Sequence, residues 1–172
     1  MRRSFIVFLS LSMIFIQACE GPAGPQGPPG QDGQDGGVVL SNAFELEGVH
    51  FTGENNYGLV EEYGFEVLPS DVVLVYILWE TDENEIWRLL PQTVFLPEGV
   101  LQYSFDFTVV DVSIFLEGTV DLGVLDTIWT RDQIFRVVVA PADFVDARID
   151  YSDYHAVTKM LGLDEEDFIS KK

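Results

Sequence analysis

Residues able to do covalent chemistry are few in this chain and thinly spread. Cys19 is the only thiol, which rules out an intrachain disulfide and any CxxC metal or redox site. His50 and His155 stand far apart and share no zinc-ligand spacing. No GxSxG is present, so a serine triad would have to recruit one of those two histidines; each reads more simply as a surface or partly buried residue. Acidic residues are plentiful, 29 in all, and for that reason they single out no acid–base pair for glycoside hydrolysis. Asp82, Glu83, Asn84 and Glu85 form one oxygen-rich stretch, and Asp143, Asp146, Asp150 and Asp153 form another. Hard cations want several such oxygens, but neither stretch has the spacing or internal glycine of an EF-hand loop. Both read as solvated turns. Trp79, Trp87 and Trp129 could serve as stacking platforms for sugars, although core packing accounts for the same residues. The expectation is no catalytic residue, no metal ligand and no cofactor.

What remains is the thiol, and its position explains it. Met1-Arg2-Arg3-Ser4 precedes an apolar run of 12 residues from Phe5 to Ile16, followed by Gln17-Ala18-Cys19. A basic start, a short apolar stretch and a small residue at the cut are the marks of an export signal. Such a run is too short to span a bilayer, which takes about 20 residues as a helix.

The cut site resembles the lipobox of bacterial lipoproteins. That motif has an aliphatic residue three before the cysteine and a small one directly before it, here Ile16 and Ala18, with Gln17 between. The resemblance implies cleavage before Cys19, a diacylglycerol thioether on its sulfur, and acylation of the new amine. Two or three chains anchor stably where one holds only marginally. The implied address is the cell envelope, at the outer membrane, on its periplasmic or surface face.

Glycine next recurs at Gly21, Gly24, Gly27, Gly30, Gly33 and Gly36, giving the triplets GPA, GPQ, GPP, GQD and GQD. Glycine at every third position is what the crowded axis of a triple helix demands, and Pro22, Pro25, Pro28 and Pro29 favour the polyproline II conformation. As a spacer the five triplets reach roughly 45–50 Å, at about 3.1 Å per residue. As a trimeric stem they would gain from association of the domains they carry. A homotrimer through the stem is thus one expected partner arrangement.

Charge narrows the other partners. The chain carries a formal −20, and without Arg2 and Arg3 the remaining 29 acidic and 7 basic residues give −22. Nucleic acid is a poor partner for such a surface, since phosphate binding rests on Lys and Arg. Anionic headgroups are disfavoured on the same ground, so the membrane is met through lipid rather than through charge.

The elements that must follow the stem are mostly strands. Leu101, Tyr103, Phe105, Phe107 and Val109 alternate with polar residues, a period of two that turns one face inward. Past Asp111 the inward set becomes Val112, Ile114 and Leu116, so a bulge or tight turn belongs near Val110-Asp111. Val72 to Trp79 is a continuous apolar run, as expected of a strand buried on both faces, and Phe135 to Val139 reads as another central-type strand, which Pro141 ends. Ile86 to Leu90 should return as a hairpin, Pro97-Glu98-Gly99 should turn, and weaker strands are predicted over Ala43–Phe51 and Leu59–Leu68. One short helix is expected near the C-terminus, capped by Ser152, closed by Gly162 and presenting Tyr154, Val157 and Leu161 on one stripe. The fold class is therefore mainly β, a single β-sandwich or jelly roll with one short C-terminal helix. Its parts run 1–18 signal peptide, 19–37 lipidated cysteine and stem, 38–163 domain, and 164–172 charged tail.

This order of parts resembles collagen-like-repeat lipoproteins of Bacteroidota-type bacteria. The likeness is carried by Ile16 to Glu20, the triplets from Gly21 to Asp35, and more loosely Glu85-Ile86-Trp87-Arg88-Leu89-Leu90-Pro91 and Phe135 to Asp143. That family brings location and layout but no activity. The expected function is a non-enzymatic, lipid-anchored envelope protein displaying its domain on a short stem, in a structural, adhesive or accessory role. The alternative is a surface module for a glycan or small ligand, with a secreted hydrolase third. Labelled palmitate should enter the wild-type chain and disappear in Cys19→Ala; label that survives the change overturns the lipid assignment.

Overall fold

The computed structural model describes residues 42–80, 85–142 and 149–171. Nine strands form two sheets. They are β1 (Asn42–Val49), β2 (Gly58–Glu62), β3 (Val72–Glu80), β4 (Ile86–Leu89), β5 (Gln92–Leu96), β6 (Gly99–Phe107), β7 (Asp111–Gly118), β8 (Gln133–Ala140) and β9 (Ile169–Lys171). Two helices join them, α1 (Thr127–Thr130) and α2 (Tyr154–Leu161). The five-stranded sheet runs β4-β3-β8-β1-β9 and the four-stranded sheet β2-β7-β6-β5. The mainly β expectation holds.

The central strands β3 and β8 are buried on both faces for a reason visible in their partners. Val73, Val75, Ile77, Phe135, Val137 and Val139 join one apolar cluster with Leu101, Tyr103, Val112, Ile114 and Leu116 of the other sheet. The alternate residues Leu74, Tyr76, Val138 and Ala140 join a second cluster with Trp87 and with Tyr154, Val157 and Leu161 of α2. Without both covers these runs would leave a hydrophobic face in water.

The change of phase between β6 and β7 is a turn rather than a bulge. Their ladder is unbroken and pairs odd with even positions, Leu101 with Gly118 through Phe107 with Val112. Thr108 builds the reversal: its hydroxyl accepts from the amides of Val110 (3.1 Å) and Asp111 (3.2 Å) and donates to the Asp111 carboxylate (2.7 Å). Strand β6 stops at Phe107, so Phe107 and Val109 are exposed rather than buried. Gly118 has φ +149°, and a Cβ there would stand 2.0 Å from the Val100 carbonyl oxygen, so only glycine fits.

Several expectations are corrected. Leu59–Leu68 is a strand only as far as Glu62. Beyond it Gly64 takes φ +75°, and the Lys171 ammonium donates to the carbonyls of Glu62 and Tyr63, drawing the chain off the ladder. Among the described residues there are two helices rather than one; Asp126 caps α1 by accepting from the Ile128 amide at 3.1 Å. The cap of α2 is Asp153, which accepts from the Ala156 amide at 3.0 Å, while Ser152 is held by Asp150. Gly162 closes α2 in the left-handed region, as predicted.

The largest correction is the C-terminal segment. Residues 164–171 are not a loose charged tail: Phe168 is buried in the second cluster and β9 pairs in parallel with β1. The folded unit therefore extends past residue 163, through Lys171.

Arg136 fastens that segment. Its guanidinium, on the outer side of β8, is 5% exposed. It donates to Glu45 of β1 at 2.7 Å, to Glu165 at 2.6 and 3.0 Å, and to the Tyr154 hydroxyl. Its carbon lies 4.3 Å from the centre of the Trp87 ring and 4.4 Å from that of Phe168. Burial opposes its charge, but the hydrogen bonds it donates to Glu165, Glu45 and Tyr154 outweigh that and hold its pKa above the ordinary value. Arg136→Met should lower the unfolding free energy by about 3 kcal/mol, because it leaves Glu45 without its partner. Lys159→Met, at an exposed position of α2, should change it by less than about 0.5 kcal/mol. Urea titration measures both, and equal effects would remove Arg136 from this role.

Candidate functional site

The sites read from sequence disperse in the fold. Ile16, Gln17, Ala18, Cys19 and the glycines from Gly21 to Gly36 lie outside the described residues, as do Asp82 to Asn84, Asp143 and Asp146. His50 follows β1 and is exposed; its Nδ1 accepts from the Asp132 amide at 3.1 Å. His155 is exposed on α2 and contacts the edge of Tyr154. The carboxylates that remain in view have local employment. Glu85 accepts from the Trp87 indole at 3.1 Å. Asp150 accepts from the Ser152 hydroxyl and amide, which hold its pKa below the usual carboxylate range. Asp153 is spent on the cap of α2. Among the described residues no three His, Cys, Asp or Glu side chains converge as a metal site, and no helix is long and apolar enough to cross a membrane.

The tryptophans do not make a stacking platform. Trp87 is buried between Arg136 and Tyr154. Trp79 and Trp129 are half-buried against each other and against the core, where the Trp129 carbonyl accepts from the Tyr103 hydroxyl at 2.7 Å.

A different surface has the makings of a site: the outer face of the four-stranded sheet. The inner set of this sheet is fixed by the core, so the pleat sends the alternate residues outward. Register then arranges them in rows. Thr93, Gln102 and Glu117 lie side by side across β5, β6 and β7. Ser104, Phe115 and Gly58 form the next row across β6, β7 and β2, and Asp106, Ser113 and Val60 the third. Phe95 and Val100 pair at the rim. Among the described residues neither apolar cluster includes any of these, whereas the outer face of the five-stranded sheet lies under α2 and the C-terminal segment. Phe95 is 82% exposed and Val60 62%.

Phe115 occupies the middle of this grid, half-buried. On one flank stands Gly58, where a Cβ would sit 3.5 Å from that of Phe115, so glycine leaves the flank open. On the other runs a hydrogen-bonded chain. The Thr93 hydroxyl donates to the Gln102 amide oxygen (3.4 Å), the Gln102 amide nitrogen donates to the Ser104 hydroxyl (3.0 Å), and the Ser104 hydroxyl donates to Glu117 (2.6 Å). These contacts preset the amide and carboxylate without using up their acceptors and donors. No Lys, Arg or His lies on the grid.

What the arrangement can do is recognition. It holds neither thiol nor imidazole, and the Ser104 hydroxyl donates to the Glu117 carboxylate at 2.6 Å. Of its carboxylates, Glu117 and Asp106 lie at rows about 13 Å apart along the strand, while Asp111 and Glu62 stand opposite each other across β7 and β2 in the row beyond Ser113 and Val60. The sequence does carry a signal for this site. Phe115 is a large apolar residue at an outward position of an otherwise well-alternating strand, and such a residue needs a partner or a purpose.

A comparison of the chain with protein-family models, curated proteins and solved structures finds no match in any of the three.

The remaining titratable groups of note are tyrosines, and they belong to the core. Desolvation, with some help from Asp111, pushes Tyr63 up to about 12. Burial also takes Tyr154 to about 12 against the pull of Arg136, and raises Tyr76 and Tyr103 further. The ordinary value in the unfolded chain is about 10. The stability these groups contribute is therefore complete below pH 10 and is lost as pH rises through the folded values. The melting temperature should fall steeply above pH 10, with tyrosinate absorbance appearing together with unfolding. The Tyr63 hydroxyl is buried without a hydrogen-bond partner among the described residues, so Tyr63→Phe should melt no lower than wild type. A clear loss in that variant would reveal a bond to its hydroxyl.

Proposed function

We propose that this chain is a lipid-anchored protein of the cell envelope, non-enzymatic, which displays a β-sandwich on a short collagen-like stem. The observation that carries the reading is the unbroken order of three parts. The lipobox cysteine at Cys19 is followed at once by strict Gly-X-Y triplets, and these lead into a folded acidic domain. Each part has a use only with the others. Acyl chains hold one end at the bilayer, a polyproline-rich spacer carries the next part off the surface, and the domain is what arrives there.

The sandwich reading is supported by the apolar cluster that the two sheets share, since alternating residues of both contribute to it. The role as display rather than catalysis is supported by the chemistry of the described surface, where carboxylates cap, turn and pair. High negative charge suits a body that must stay soluble and apart from its neighbours. The stem acts as a spacer in this reading, with trimerisation open to it through the triplets.

Cell fractionation tests the reading. Wild-type protein should sediment with outer membranes, and Cys19→Ala should appear in a soluble fraction outside the cytoplasm. Deleting residues 21–35 should leave both the membrane association and the melting temperature of the domain unchanged. Recovery of the unprocessed wild-type chain from the cytosol overturns the proposal, and a lower melting temperature after the deletion overturns the spacer.

A further inference from the structure

From the grid around Phe115 we infer that the open face of the four-stranded sheet is a binding surface for a neutral glycan, with Phe115 and Gln102 as its principal contacts. The inference goes beyond the anchoring proposal and does not depend on it.

Three features of the face choose the ligand class. First, its centre is an aromatic ring surrounded by small or hydrogen-bonding groups. The C–H face of a sugar ring carries slight positive charge and meets the negative face of an aromatic ring favourably. Gly58 on one side carries no side chain to cover the ring, while Ser104 on the other is buried, its hydroxyl held by Gln102 and Glu117. Second, the surrounding groups are a hydroxyl, an amide and a carboxylate in one hydrogen-bonded chain. A sugar hydroxyl both donates and accepts, so it can join that chain at any point; an apolar or purely cationic ligand could not satisfy it. Third, the grid extends about 13 Å along β6 from Gln102 to Asp106, at about 3.3 Å per residue. That suits a short run of sugar rings lying along the strand better than a compact metabolite, which calls for a concave pocket.

Charge excludes the anionic occupants. Glu117 and Asp106 face outward with no cation on the grid, so sulfated, phosphorylated or uronic-acid ligands meet like charge. A basic peptide, which Glu117, Asp106, Asp111 and Glu62 would attract, is left to the test: binding of oligolysine in place of every neutral sugar overturns the inference. A second copy of the chain is disfavoured twice. The chain has a net charge of −20, and a two-fold pairing of this face on itself would bring its own carboxylates together.

The test uses the intact chain, purified in detergent and labelled with 15N. It is titrated with a panel of neutral oligosaccharides (gluco-, manno-, xylo-, galacto- and N-acetylglucosamine-based) and with uronic-acid and sulfated counterparts. At least one neutral oligosaccharide should bind and shift the amides of β6 and β7. Its affinity should fall about tenfold or more in Phe115→Ala and in Gln102→Ala, as for central contact residues. Ile128→Ser, an exposed change on α1, should leave it unchanged. Gln102→Ala keeps the question answerable if Phe115→Ala fails to fold. Absence of binding across the neutral panel, binding confined to anionic glycans, or binding indifferent to both variants overturns the inference. So does an oligomer that Phe115→Ala dissociates, which would make the face a contact between copies. None of these outcomes touches acyl labelling at Cys19, so the two proposals fail separately.

Discussion

The fold depends on a single buried cation. Arg136 rises from the outer side of β8 into a space bounded by Trp87, Tyr154 and Phe168, and meets Glu45 and Glu165 there. A guanidinium removed from water is expensive unless its donors are met, and here each face and edge has a partner. Those partners come from β1, β4, α2 and the segment after it. One side chain thus ties together everything that covers the outside of the five-stranded sheet.

A second cation repeats the device at lower cost. Lys171 in β9 donates to the carbonyls of Glu62 and Tyr63, pairs with Glu61 at 3.4 Å, and sits 4.2 Å from the centre of the Phe44 ring. It joins the last strand of one sheet to the edge of the other. In a chain with so few basic residues, two of them serve the attachment of the final eight described residues. The acidic surplus is left to the surface, where mutual repulsion is diluted by water.

The two sheets therefore end in unlike situations. One has both faces covered and reads as continuous apolar strands. The other has a covered inner face and an outer face on which Thr93, Gln102, Ser104 and Glu117 hydrogen-bond around Phe115. A sheet needs only one buried face to be stable. The outer face of the four-stranded sheet is thereby released from packing, which is what a recognition surface requires of its scaffold.

Much of this was legible in the residues. The alternation in Leu101 to Phe107 named the inward set of β6, the shift of phase after Asp111 placed the turn, and the apolar run Val72 to Trp79 announced a strand covered twice, with Phe135 to Val139 as a second central strand. Such patterns are local, because the pleat alternates whatever the partner is. Other elements escaped for the same reason. The 3-10 turn Glu165–Asp167 is wholly acidic and, with the three residues of β9 behind it, reads as tail; only Arg136 and Lys171, distant in sequence, make them structure. Cross-strand register is equally non-local, so that Gly58, Phe115 and Ser104 share a row could not be known from their spacing. By itself the sequence determined the periodicity, the turns, the charge and the run of Gly-X-Y triplets directly after Cys19, since each is written in neighbouring residues. Which cation meets which carboxylate, and which face stays open, was decided only by tertiary structure, because those contacts join segments that approach one another when the chain folds.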